Sequence, residues 1–172
     1  MKLIRKFVAV GAMCLAFAGV AGQIAQGQQR TTSLFSTGCV RRGSVGNLQD
    51  NISIGREAFT RIFYIDNGGQ ITCRIRPAGS PPRFKTLRLA FGITDSRASE
   101  LTVDVNIYLD GNLAASRTLS VGEKSLLILD VSRVSSVAIE VPQGSNDIFT
   151  TIRVSFVQAL LEPISSSPGR RQ

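Results

Sequence analysis

The 172-residue chain contains no histidine. That absence removes Ser-His-Asp and Cys-His nucleophile systems and the usual zinc sites. Asp104 and Asp110 are carboxylate candidates by proximity, since a glycosidase needs two facing carboxyl groups, one with a raised pKa. Asp104, however, falls on the outward side of a predicted strand and Asp110 in the turn that ends it, which suits a solvated face and a hairpin. Asn67-Gly68-Gly69 has the glycines of a phosphate loop but not the Lys-Ser/Thr that would follow. Cys39 and Cys73 are the two cysteines beyond the N-terminal segment. In an exported chain such a pair reads as a disulfide closing a loop of about 34 residues, with two free buried thiols as the alternative.

Recognition chemistry is better represented. Trp is absent and Tyr occurs twice, as Tyr64 and Tyr108. Tyr108 lies opposite the apolar side of its strand, where it either meets solvent as a sugar platform or covers a second layer. Arg74, Arg76, Arg83, Lys85 and Arg88 cluster in sequence and suit either an acidic glycan or a solvated face. The loops Asp95–Glu100, Asp110–Asn112 and Gln143–Asp147 are the expected binding loops, with Asp95, Arg97, Tyr108, Asp110 and Asn112 as candidate ligand-binding residues. Asn51-Ile52-Ser53 has the form of a glycosylation sequon, meaningful only in a eukaryotic secretory path.

The elements that must hold these residues are strands. Leu101, Val103, Val105, Ile107 and Leu109 alternate with Thr102, Asp104, Asn106 and Tyr108, a period of two that a helix would scatter around its axis. Asp110-Gly111-Asn112 supplies a hairpin turn, with Leu113–Leu119 as the partner strand. Two β-rich runs, 56–66 and 70–76, flank Asn67-Gly68-Gly69 and read as a second hairpin. Phe84–Ile93, Leu126–Val131, Val137–Val141 and Ile148–Leu161 are further strand candidates. About eight short strands and no convincing helix indicate an all-β fold, an antiparallel β-sandwich or jelly roll.

At the N-terminus Lys2, Arg5 and Lys6 precede the apolar run Phe7–Ala18 and the small residues Gly19, Ala21 and Gly22, the layout of a secretory signal peptide over 1–22. An uncleaved anchor is the alternative, for which the run is short. Residues 23–50 read as a flexible or irregular leader, 51–162 as the sandwich, and 163–172 as a disordered tail. The formal charge is +8, but Lys2, Arg5 and Lys6 leave with the signal and five more basic residues lie in the flanks. Asp50–Glu162 carries 12 basic residues and all 12 acidic ones. Basic ends on a neutral body argue against a nucleic-acid partner.

Over Phe84–Pro142 the sequence resembles the NPCBM-like family of carbohydrate-binding modules, which are galactose-binding-like β-sandwiches. The resemblance rests on Phe84-Lys85-Thr86-Leu87, on Gly92-Ile93-Thr94-Asp95, and on Val103, Val105, Ile107 and Tyr108 before Asp110-Gly111. It continues through Leu129-Asp130-Val131 and Val137–Val141. Where the family shows an Asp-Trp segment, this chain has Ser155-Phe156-Val157-Gln158-Ala159. The resemblance implies a galactose-binding-like sandwich without catalytic residues. It allows a structural calcium, to which no ligands are assigned here, and implies no other cofactor.

The function expected is therefore that of a secreted or periplasmic non-enzymatic sandwich binding carbohydrate or another cell-surface polymer. Its partner is a polysaccharide or another envelope component, and no stable membrane anchor remains after signal cleavage. The alternative is a structural or assembly domain of the envelope, marked by an unpaired apolar sheet edge.

Overall fold

The computed structural model describes residues 30–95, 101–144 and 151–164. In chain order the strands are β1 (Thr32–Ser33), β2 (Cys39–Arg42), β3 (Val45–Gly46), β4 (Asp50–Ile54), β5 (Glu57–Arg61), β6 (Phe63–Asp66), β7 (Gly69–Arg74), β8 (Phe84–Gly92), β9 (Thr102–Leu109), β10 (Asn112–Ser120), β11 (Lys124–Asp130), β12 (Ser136–Val141) and β13 (Arg153–Pro163). One 3-10 turn, Leu34–Thr37, joins β1 to β2. All the strand pairs within the sheets are antiparallel, as the sequence pattern leads one to expect.

Two sheets face each other. The first runs β11-β8-β13-β6-β3, with β1 added beside the far end of β13, and the second runs β10-β9-β12-β7-β2. β4 and β5 form a separate hairpin. The alternation in β9 works as the sequence predicts: Val103, Val105 and Ile107 are buried, and Thr102 and Asp104 are exposed. From the other sheet, Leu87, Leu89 and Phe91 of β8 and Val154 and Phe156 of β13 meet them in one core. The Phe156 ring stacks on Phe63 at 4.2 Å and tilts against Phe91 at 5.1 Å, offset geometries that add to simple area burial.

β13 serves three neighbours. It pairs with β8 along one side, and with β6 and then β1 along the other. The register slips between Phe156 and Gln158. A bulge of one residue switches which parity faces inward, so Val154 and Phe156 are buried before it and Ala159 and Leu161 after it. The alternation legible at Ile152, Val154 and Phe156 therefore stops at Val157 without the strand stopping.

Two expectations are corrected. β6 and β7 are not a hairpin: they lie in different sheets, and Asn67-Gly68 carries the chain from one to the other. Asn67 N donates to the Ile152 carbonyl at 3.0 Å and Gly68 N to the Val141 carbonyl at 2.7 Å, so this crossing is tied to β12 and to the start of β13. The run 56–66 divides, its first half pairing backwards with β4 around Gly55-Arg56, both at positive φ (61° and 67°). The stretch 30–50 is also ordered into strands. β1 joins β13, β2 joins β7, and β3 joins β6. The regions read as signal peptide (1–22) and tail (165–172) lie outside the described residues, as do residues 23–29.

Cys39 and Cys73 stand opposite each other in the β2–β7 ladder and form a disulfide, with Cα atoms 4.1 Å apart and a sequence separation of 34. Cys73 faces the core beside Ile71, as its parity predicts. Among the described residues no helix is long and apolar enough to cross a membrane.

Candidate functional site

The β4–β5 hairpin lies over the outer surface of the first sheet, held there by contacts at its strands and at its tip. Ile54 is buried and packs on Gly92, where an added Cβ would run into the Glu123 carbonyl. Arg61 is buried; its Nε donates to Asp50 Oδ1 at 2.8 Å and its Nη1 to Ser155 on β13 at 3.3 Å. At the hairpin tip, the Asp95 carboxylate accepts the Gly55 amide at 2.8 Å, the Arg56 amide at 2.9 Å and the Ser53 hydroxyl at 2.5 Å. The Ser53 hydroxyl first, then the Arg56 amide, hold the Asp95 carboxyl below its ordinary value.

Between this hairpin and the sheet runs a groove of about 770 Å³. Its floor is Ala90, Leu126, Val157 and Leu160, the outward side of β8, β11 and β13. Phe59 and Thr60 of the hairpin line it above, together with Ser33, Phe35, Asn47 and Gln49. Gln158, turned outward by the bulge, and Lys124 complete it. The Lys124 ammonium sits 4.3 Å from the Phe59 ring centre and donates to Glu57 at 2.7 Å. Three amide side chains, hydroxyls, one cation and apolar ring and aliphatic surface thus converge, and no carboxylate is among the lining residues. Such a surface can exchange hydrogen bonds with hydroxyl groups and cover the C–H faces of a ring. It offers no acid–base pair.

The residues singled out from the sequence lie elsewhere and are divided between the two ends of the sandwich. Asp95 abuts Gly122, two residues beyond Ser120, and Ser120 pairs with Thr102 at the start of β9. Asp110 and Asn112 stand at the other end of that strand, about 25 Å away at roughly 3.3 Å per residue. Asp110 and Gly111 take positive φ (49° and 82°), as a two-residue hairpin of type I′ requires. The Asp110 carboxylate accepts the Ser135 and Ser136 amides at 3.0 and 2.8 Å, clamping the β11–β12 loop. Asn112 Nδ2 donates to the Asp110 carbonyl at 3.4 Å. Asp104 accepts the Thr118 hydroxyl at 2.6 Å on the outer side of the second sheet and does not face Asp110. On that same surface the Tyr108 hydroxyl donates to Glu140 at 3.0 Å, and this bond pushes its pKa up. Arg97, with all of residues 96–100 and 145–147 of the expected binding loops, lies outside the described residues.

The basic cluster is also dispersed. Arg74 lies on the second sheet and Arg76 bonds Ser135 beyond it, whereas Arg88 pairs with Glu162 on the first sheet. Among the described residues no group of three or more carboxylates or cysteines converges to hold a metal ion. The groove residues escaped sequence reading because they come from six separate stretches. One signal was present: Leu126-Leu127-Ile128-Leu129 does not alternate, and an uninterrupted apolar strand has apolar side chains on both faces.

No family model matches the chain, and no curated protein matches it by sequence. Solved structures do. The CBM51 from Clostridium perfringens GH95 in complex with methyl-galactose superposes with a TM-score of 0.61 at 10% identity, covering 77% of this chain and 99% of that one. The CBM51-2 and INT domains of C. perfringens ZmpB, in complex with GlcNAc, give 0.61 at 15% identity, over 77% of this chain and only 31% of that one. The tandem CBM51 modules of the family 98 glycoside hydrolase Sp3GH98 from Streptococcus pneumoniae give 0.51 at 14% identity, over 68% and 37%. The chain has the galactose-binding-like β-sandwich fold of the CBM51 carbohydrate-binding modules.

Proposed function

We propose that this chain is a non-enzymatic carbohydrate-binding module of an exported, secreted or periplasmic protein, and that the groove under the β4–β5 hairpin takes a neutral saccharide of a polysaccharide chain. The observation that carries the reading is the composition of that groove, which Phe59, Asn47, Gln49 and Gln158 line together. Amides supply both donor and acceptor to sugar hydroxyls, and the ring covers an apolar sugar face. Export agrees with the disulfide, which persists in oxidising compartments, and with the basic-then-apolar N-terminus.

The test is affinity electrophoresis through gels containing neutral polysaccharides, with calorimetric titration of methyl-galactose and GlcNAc, the ligands present in the neighbouring structures. Wild type should be retarded by at least one polymer. Phe59→Ala and Gln158→Ala should each weaken binding by about tenfold, which corresponds to about 1.4 kcal/mol. Absence of retention on every neutral polymer, or retention indifferent to both substitutions, would overturn the assignment.

A further inference from the structure

β11 is an edge strand: it pairs with β8 on one side, and no strand among the described residues pairs with its other side. Proteins ordinarily guard such edges by shortening, bending or charging them. This one runs seven residues, Lys124-Ser125-Leu126-Leu127-Ile128-Leu129-Asp130, in unbroken register with no Pro, Gly or bulge. Leu126 and Ile128 point away from the core and are 58% and 55% exposed.

The segment is complementary to itself. Pairing with a second copy, antiparallel about a two-fold axis through Leu127, sets Leu126 opposite Ile128 twice on the outer surface. The same register sets Lys124 opposite Asp130 twice at the two ends. Directly opposite residues in an antiparallel pair have Cβ atoms about 5 Å apart, and opposite charges and apolar pairs at that spacing both stabilise. A slip of two residues removes the charge matching, and a parallel pairing sets like charges together. The Lys124 ammonium keeps free donors beyond its bond to Glu57, and the exposed Asp130 carboxylate, bonded to Ser132, has lone pairs beyond the amide bond it accepts.

We propose that β11 pairs antiparallel with β11 of a second copy, centred on Leu127, to give a two-fold dimer with one sheet continuous across both subunits. Such an interface is isologous and closes on itself. Lys124 and Leu126 also line the groove, so the dimer sets two grooves side by side on one surface with Ile128 of each copy at the rim of the other. This inference is independent of what the groove binds.

Sedimentation equilibrium of the full chain, from about 1 to 200 µM, tests it. Wild type should form a dimer, and Ile128→Glu should weaken association at least tenfold while leaving unchanged the thermal midpoint read at a dilution where both proteins are monomeric. Asp130→Lys should weaken association by placing two lysines together, and adding Lys124→Asp should restore it. Because Lys124→Asp also removes the Glu57 contact, a second measurement is independent of it. The double variant L126C/I128C should cross-link into a covalent dimer on oxidation, whereas L126C alone should not. A monomer at every concentration, a dimer indifferent to Ile128→Glu, or failure of the cysteine pair to cross-link would each overturn the proposal.

Discussion

Arg61 and Asp50 are joined across the β4–β5 hairpin by two parallel hydrogen bonds, Nε to Oδ1 at 2.8 Å and Nη2 to Oδ2 at 2.5 Å. The guanidinium side chain is 8% exposed and the carboxylate 39%. The fork lies within the hairpin and orients the guanidinium, which reaches Ser155 on β13 and so supplies one of the hairpin's polar ties to the sandwich. Asp50→Ala leaves a buried cation with one neutral partner. Since Asp50 is partly solvated, the cost should be about 2–3 kcal/mol rather than that of a fully buried pair. Urea unfolding measures it, and the same variant should lose groove binding more than a surface substitution such as Arg117→Ala does.

The disulfide joins the edge strand β2 to β7, the one strand that pairs with it among the described residues. Removing it with Cys39→Ser and Cys73→Ser should cost about 3–4 kcal/mol, the chain-entropy value for a 34-residue loop. β2 should lose amide protection before the rest of the sheet does. Hydrogen exchange in oxidised and reduced protein distinguishes this local loss from global unfolding.

Asp95 makes the hairpin tip acid-sensitive. Its carboxyl is held below the ordinary 3.8 by the Ser53 hydroxyl and the Arg56 and Gly55 amides. A depressed folded-state value contributes stability that is fully present above the unfolded-state value, and that contribution is lost as pH falls through the folded-state value. Protection of the Gly55 and Arg56 amides should therefore hold above about pH 4 and decline below it. In Asp95→Ala their protection should be lower and should lack that acid step. Amide exchange of these two residues against pH checks both statements.

Phe156 is fully buried between Phe63 and Phe91. Phe156→Ala should cost about 3–5 kcal/mol, combining lost transfer energy with the cavity left between two rings. Phe156→Leu should cost less than half as much. Thermal and denaturant midpoints read both.

Much of the architecture was legible from residue order alone. The two-residue rhythm in β8, β9 and β12 is enough to say strand, face and partner type, because a side chain's direction along a strand is set by parity. Asp110-Gly111 specifies its turn because few other dipeptides tolerate two successive positive φ values. The β6–β7 connection misled because Asn-Gly-Gly serves a crossing between sheets as well as it serves a hairpin. The strand candidate Ile148–Leu161 covered most of β13, but the bulge at Val157 hid which side chains of its second half face inward, since one unpaired residue reverses the parity on which the reading depends.

The sequence by itself thus determined an antiparallel sandwich, which of its side chains are buried in most strands, and that Cys39 and Cys73 are available to each other. Only the tertiary structure decided that Asp95 and Asp110 stand at opposite ends, each consumed by backbone amides, and that Phe59, Asn47, Gln49 and Gln158 share one groove. The reason is physical. Burial and strand direction are local consequences of side-chain type and parity, whereas a binding surface depends on which distant strands become neighbours, and that is decided by packing the whole chain at once.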